Sequence, residues 1–149
     1  MDIVGIGSEI VECLRIGKMI ELHGELFLRQ VFTDWEIRYC QSRRHATEHF
    51  AGQWAAKEAV ARAIGMTLGR SAIWTVLEIR SVPGGKPIVK VGGTAKEIAL
   101  ERGIGDILVS ISHCRTYATA YALAIARNKS TGPSTAKPAE PESGPRPAE

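Results

Sequence analysis

The sequence is short of cysteine, of aromatic residues and of net charge, and each shortage excludes something. Its three cysteines, at 13, 40 and 114 of 149 residues, are odd in number, widely spaced and form no Cys-x-x-Cys pair. That argues against a disulfide scaffold or a zinc ribbon and fits a reducing cytoplasm. Aromatic residues make up 6% of the chain, with no run of them that could form a platform for stacked bases. The net charge is only +3, too little for a protein that coats DNA. No apolar run approaches the ~18 residues of a membrane span, and the N-terminus lacks the charged and apolar regions of a signal peptide. The expectation is a cytoplasmic protein whose partners are neither nucleic acid nor membrane.

What remains is ordinary globular material. Hydrophobic residues make up 44% and charged residues 23%, and a chain of this size buries a core without disulfides or metals. Periodicity stops near Arg127. Residues 128–149 hold five of the seven prolines and no Val, Ile, Leu, Met or aromatic residue, and their charges cancel. Such a segment has nothing to bury against the entropy of ordering. The organisation expected is a domain over 1–127, which carries the whole +3, followed by a disordered Pro-rich tail over 128–149.

Within the domain, residues 3–10 read as a strand broken by Gly5 and Gly7, where backbone approaches something closely. A helix over 15–28 is interrupted near Gly24. Thr33 or Asp34 caps a helix to Gln41, and the strongest helix runs from His45 to Ile64 with Gly65 as its stop. Residues 73–80 and 88–91 read as strands about the Pro83–Pro87 turn. Thr94 caps a helix over 95–102, and 107–113 is a strand. Residues 116–127 suit helix by propensity, but Tyr117, Thr119, Tyr121, Leu123 and Ile125 share one parity, which favours strand. The order is β, α, α, α, β, β, α, β, β. The fold class is therefore α+β, with an antiparallel sheet packed on a long helix.

Four clusters bear charge or nucleophiles. Gly5-Ile6-Gly7-Ser8-Glu9 lacks the third glycine of a dinucleotide fingerprint, since position 10 is Ile. It does place the Glu9 carboxylate at a strand end, where the plainer reading is a solvated turn residue. On the long helix Glu58 and Arg62 stand at i and i+4, with Lys57 beside them, among alanines rather than the usual polar neighbours. A carboxylate flanked by two cations suits a metal–phosphate site, and a routine surface pair is the plainer reading. Val109-Ser110-Ile111-Ser112-His113-Cys114 ends a strand in an imidazole. Adjacent strand residues point opposite ways, so His113 and Cys114 do not read as a nucleophilic pair. The basic residues Arg15, Lys18, Arg29, Arg38, Arg43 and Arg44 form either a solvated face or a patch that steers an acidic partner.

Together these segments resemble one family, the holo-[acyl-carrier-protein] synthases, the short type of phosphopantetheinyl transferase. GIGSEIVECLRI at 5–16 is similar to that family's Gly-Ile-Gly-x-Asp-Ile-Val-Glu opening. VFTDWEIRYC at 31–40 is similar to its Phe-Thr-x-x-Glu-Ile-x-Tyr-Cys segment. FAGQWAAKEAVARAIG at 50–65 resembles its signature helix, and GGKP at 84–87 and VSISH at 109–113 follow in order. The resemblance spans residues 3 to about 127.

It implies a 4′-phosphopantetheinyl transferase-like fold. It also implies a Mg²⁺-dependent transfer of 4′-phosphopantetheine from coenzyme A, the substrate, to a serine of apo acyl carrier protein, releasing 3′,5′-ADP. Glu9 and Glu58 would be the metal ligands. Glu58 and Lys57 would be the catalytic residues, with Glu58 or a water on the metal as base. Lys57, Arg62 and His113 would bind coenzyme A. Arg15 and Lys18 would meet the acidic carrier protein, and the assembly would be a homotrimer with sites between subunits. Two positions depart from the pattern: Glu9 stands where the family usually has Asp, and Arg62 where it usually has Lys. The alternative they suggest is a catalytically weak paralogue that binds coenzyme A or a carrier protein.

Overall fold

The computed structural model describes residues 2–128, so the tail expected over 128–149 lies, past Asn128, outside the described residues. In chain order the elements are β1 (Ile3–Glu12), α1 (Cys13–His23), α2 (Glu25–Val31), α3 (Asp34–Gln41) and α4 (Ala46–Ile64), a 3-10 turn at Trp74–Val76, then β2 (Leu77–Arg80), β3 (Ile88–Val91), α5 (Gly93–Glu101), β4 (Ile104–His113) and β5 (Tyr117–Ala126). The α+β class is observed. The antiparallel strands form two sheets rather than one: β1-β5-β4, and the hairpin β2-β3.

The helix expected over 15–28 is two helices, because Gly24 adopts φ 52 and its conformation ends α1 before α2 begins. Left-handed φ is cheap only for glycine. Thr33, not Asp34, is the cap of α3. Its side chain accepts from the Glu36 N–H while the Glu36 side chain accepts from the Thr33 N–H. Such a capping box is worth about 1 kcal/mol. The strand expected from residue 73 begins only at Leu77, since Trp74 to Val76 turn to stack Trp74 on Trp54, with ring centroids 5.6 Å apart. Gly92, not Thr94, is the N-cap of α5.

The core lies where α4 crosses the three-stranded sheet. Ala118, Ala120, Ala122 and Ala124 of β5 point inward and are buried, as are Ala51, Ala55, Ala59 and Ala63 of α4. Small side chains on both surfaces let helix and sheet pack closely. Gly5 and Gly7 carry this furthest: a Cβ at Gly5 would run into the Ala63 carbonyl oxygen, and one at Gly7 into that of Ala59. The close approach read from the Gly-x-Gly is thus an approach to α4. The expected β5 parity is observed, with Tyr117 and Tyr121 outward.

Candidate active site

The glycine contact positions the first group of candidate residues. Glu9 lies on the same face of β1 as Gly5 and Gly7, so it emerges beside α4 one step past the contact. There Arg62 reaches back: its Nη2 donates to Glu9 Oε2 at 2.8 Å and its Nη1 donates to the Ser8 carbonyl. The other Glu9 oxygen accepts from the Ile10 N–H at 3.0 Å. One turn before Arg62, Glu58 is half-buried. Burial, and then the negative charge of Glu9, push its carboxyl above the ordinary value, while Arg62 and Arg15 pull it down. The structure therefore brings Glu9, Glu58 and Arg62 together. Two carboxylates with a guanidinium alongside offer hard oxygens that suit a cation and donors that suit a phosphate.

Lys57 requires a correction. Its side chain is 0% exposed, with Nζ 2.6 Å from Glu36 Oε1, and it donates to the Val31 carbonyl at 2.6 Å and the Trp74 carbonyl at 3.3 Å. An ammonium has three hydrogens, and these three acceptors use them. Successive helical residues lie about 100° apart, so Glu58 faces β1 while Lys57 faces α2, α3 and the 3-10 turn. The geometry does not support the expected phosphate-holding and catalytic role of Lys57.

His113 stands apart. Glu9 pairs with Ala120, and Ala120 with Ile111, two residues before His113. With two strand spacings between them, the β1 and β4 backbones are about 10 Å apart. At its end of the sheet His113 Nδ1 lies 3.3 Å from Glu48 Oε2, and its ring meets His49 edge-on at 4.7 Å between centroids. Burial, then His113 and Arg43, hold the His49 imidazole below its ordinary value. Tyr39, His49, Gln53, Ser81, Ile111 and His113 line a cavity here. His49 and Gln53 were missed as candidates. The signal was present, because His49, Gln53 and Lys57 recur every four residues along the alanine-rich α4.

Arg15 and Lys18 are exposed on α1. The Arg15 guanidinium sits 5.4 Å over the Trp54 ring and within electrostatic reach of Glu58. Beside them Leu14, Leu22 and Leu26 are exposed at 65%, 75% and 64%. Arg29 is engaged locally, 3.1 Å from Glu25 and 3.5 Å from Asp34. Cys114, at the β4–β5 turn, accepts from the Tyr117 N–H.

Comparison with known proteins supplies a context for this geometry. The chain is 46% identical over 121 residues to a holo-[acyl-carrier-protein] synthase of Rhodopirellula baltica, covering 81% of this chain and 96% of that one. The fold superposes on the crystal structure of holo-ACP-synthase from Plasmodium yoelii with a TM-score of 0.72 and 31% identity, over 85% and 98% of the two chains. It likewise superposes on a holo-(acyl-carrier-protein) synthase from Bacillus anthracis solved in complex with CoA (3′,5′-ADP), with a TM-score of 0.66 and 31% identity over 84% and 98%. Residues 5–126, which contain Glu9, Glu58, Arg62 and His113, match the family model as a whole, and the chain belongs to the 4′-phosphopantetheinyl transferase superfamily.

Proposed function

We propose that the protein transfers the 4′-phosphopantetheine arm of coenzyme A to a serine hydroxyl of an apo acyl carrier protein, releasing 3′,5′-ADP. The observation that carries this reading is the convergence of Glu9, Glu58 and Arg62 where β1 meets α4. The donor set fits Mg²⁺: two carboxylates offer hard oxygens, and their mutual repulsion is what a cation relieves. Mg²⁺ bound there would neutralise the charge that builds on the diphosphate.

The remaining roles fall to the chain's own groups. Arg62, a planar fork with its side chain 52% exposed, holds phosphate oxygens. Glu58, whose carboxyl binds a proton more readily than an ordinary Glu, is placed to accept the serine proton. That proton leaves as the serine oxygen bonds to the pantetheine phosphorus and the bond to the 3′,5′-ADP oxygen breaks. Arg15 and Lys18, with exposed Leu14 before them and Leu22 and Leu26 after them on α1 and α2, suit an acidic amphipathic helix on the carrier protein. The cavity at His113 takes the adenosine phosphate end of coenzyme A.

These two halves lie on opposite edges of one sheet, which supports a homotrimer with each site completed by a second copy. The uncovered face of the β1-β5-β4 sheet supports the same reading: Ile6, Ile10 and Tyr121 are 70%, 59% and 61% exposed on it. A contiguous apolar surface of this kind marks an association site. Among the described residues no helix is long and apolar enough to cross a membrane, and the three cysteines are free, as suits a reducing cytoplasm.

The test is an intact-mass assay of apo acyl carrier protein incubated with the purified protein, coenzyme A and Mg²⁺. The carrier is expected to gain the mass of phosphopantetheine, and to stop gaining it when a chelator is added or Glu58 is replaced by Ala. No modification of any carrier protein from the same genome would refute the reading.

A further inference from the structure

Helix α4 begins with a carboxylate that faces the sheet rather than solvent. Glu48 lies in the first turn, where a negative charge complements the helix dipole. That service needs no partner and would leave the side chain in water. Instead the side chain is 20% exposed and reaches across to β4, with Oε2 3.3 Å from His113 Nδ1. One turn further on, Gly52 gives the same ring a second contact. A Cβ there would lie 3.1 Å from Ile111 Cγ2 and 3.7 Å from His113 Cδ2. The missing side chain lets the end of β4 and its imidazole lie against the helix.

The two contacts decide which way the ring faces. Nδ1 and Cδ2 flank Cγ, and rotation about the Cβ–Cγ bond is a broad, roughly two-fold choice. In one orientation Nδ1 meets the Glu48 carboxylate and Cδ2 lies against Gly52. Turned by 180°, the ring would set a carbon against the carboxylate and a nitrogen against a residue with no side chain. The carboxylate also decides where the proton sits. It only accepts, so Nδ1 carries hydrogen, and a neutral imidazole has just one. Nε2 is then left with a lone pair, or with the second N–H when the ring is charged. His49, the next residue in the chain, is held below its ordinary value by burial and by the neighbouring His113 and Arg43. It is therefore uncharged at neutral pH, and the imidazole that Glu48 orients is His113. The His113 ring lines the cavity, and Glu48 stands outside that lining.

We propose that Glu48 is a positioning residue for the reaction: it fixes the ring flip and the proton of His113, and so leaves Nε2 as the nitrogen offered to the substrate. The inference rests on the reading that His113 contacts coenzyme A. It goes further by assigning the geometry of that contact to a carboxylate that does not itself touch the substrate.

Two measurements on the full-length protein test this. The first is the long-range proton–nitrogen NMR spectrum of the histidine rings in mildly alkaline buffer, with the His113 signals assigned by their loss in His113→Ala. The His113 ring is expected as the Nδ1–H tautomer, and in Glu48→Ala as the Nε2–H tautomer that an unheld imidazole prefers. An Nε2–H tautomer in the unsubstituted protein overturns the proposal. The second is a double-mutant cycle in the KM for coenzyme A. Glu48→Ala should raise this KM about tenfold, the worth of a charged hydrogen bond set in place, and leave the KM for the carrier protein within about twofold. Glu48→Gln, whose amide oxygen still accepts from Nδ1–H, should raise it less than about threefold. In the His113→Ala background, Glu48→Ala should add less than about twofold, because a residue that acts through another has no effect once that other is gone. A tenfold rise that persists without His113 would show Glu48 acting through the helix alone, and overturns the proposal. So does an unchanged KM in folded Glu48→Ala. Should Glu48→Ala not fold, the tautomer of the unsubstituted protein decides. The carrier-modification assay separates the two readings. Holo carrier made by a protein whose His113 is the Nε2–H tautomer defeats the role of Glu48 alone. An Nδ1–H tautomer without holo carrier defeats the transferase reading.

Discussion

Helix α4 carries two cation–carboxylate pairs five residues apart, and they do opposite things. Lys57 and Glu36 are both 0% exposed at 2.6 Å. Every hydrogen of the ammonium has an acceptor, and Glu36 also accepts from the backbone N–H groups of Thr33 and Ile79 at 2.8 and 2.9 Å. This network ties α4 to the end of α2, the cap of α3, the 3-10 turn and β2. Arg62 and Glu9 meet at nearly the same distance, 2.8 Å, but with the arginine side chain 52% exposed. The first pair is satisfied by protein alone, and the second keeps donors free for a ligand. Similar charges on one helix thus become architecture or chemistry according to which way the helix turns them.

The comparison breaks most visibly through stability. Lys57→Met leaves the Glu36 carboxylate buried without its counter-charge, and a loss of about 3–5 kcal/mol is expected in urea unfolding. Arg62→Met removes an exposed pair and should cost less than about 1 kcal/mol in the same measurement. In turnover the order reverses. Glu58→Gln, which keeps the shape and removes the charge, should lower kcat by about 10²–10⁴-fold while unfolding at nearly the same urea concentration.

A smaller effect is expected at Glu9. The usual Asp is one methylene shorter, and Glu9→Asp would withdraw the carboxylate from Arg62 Nη2. A loss of about tenfold in kcat/KM would show a site tuned around the longer acid, since one charged hydrogen bond is worth about 1.5–3 kcal/mol at most. A large gain would instead mark a site decayed from the Asp form. Arg15→Glu should raise the KM for the carrier protein more than the KM for coenzyme A, because Arg15 lies on α1 over Trp54, outside the His113 cavity. Equal changes would remove Arg15 from the docking surface.

The smallest effect concerns pH. The folded protein holds His49 below its ordinary value of 6.5 because burial and the neighbouring His113 and Arg43 oppose its charge. The unfolded chain then binds the proton more readily, so stability is intact above pH 6.5 and declines as pH falls through and below it. His49→Phe should flatten that part of the curve in pH-dependent thermal unfolding.

Much of this was legible in the sequence where local pattern and final contact coincide. The parity of Tyr117 to Ile125 fixes β5 because an alanine face and a larger face must separate across a strand. Glu58 and Arg62 share a face because i and i+4 always do. What could not be read depends on contacts distant in sequence. Glu36 lies 21 residues before Lys57, and nothing local marks it as the partner that draws the lysine inward. The pairing of β1 with β5 joins residues more than a hundred positions apart. Only that pairing reveals that Glu9 and His113 sit on opposite edges of a sheet. The Lys57-Glu58 dipeptide misled for a definite reason: adjacent charges look like one site in a sequence and point to different sides of a helix.

The most direct test of the division on α4 is the KM for coenzyme A measured on Arg62→Met and on Lys57→Met, each corrected to the fraction folded by near-ultraviolet circular dichroism. The account predicts a rise of about tenfold or more for Arg62→Met, from the lost charged hydrogen bonds to phosphate, and less than about threefold for Lys57→Met. A tenfold rise in folded Lys57→Met, with Arg62→Met unchanged, would contradict it.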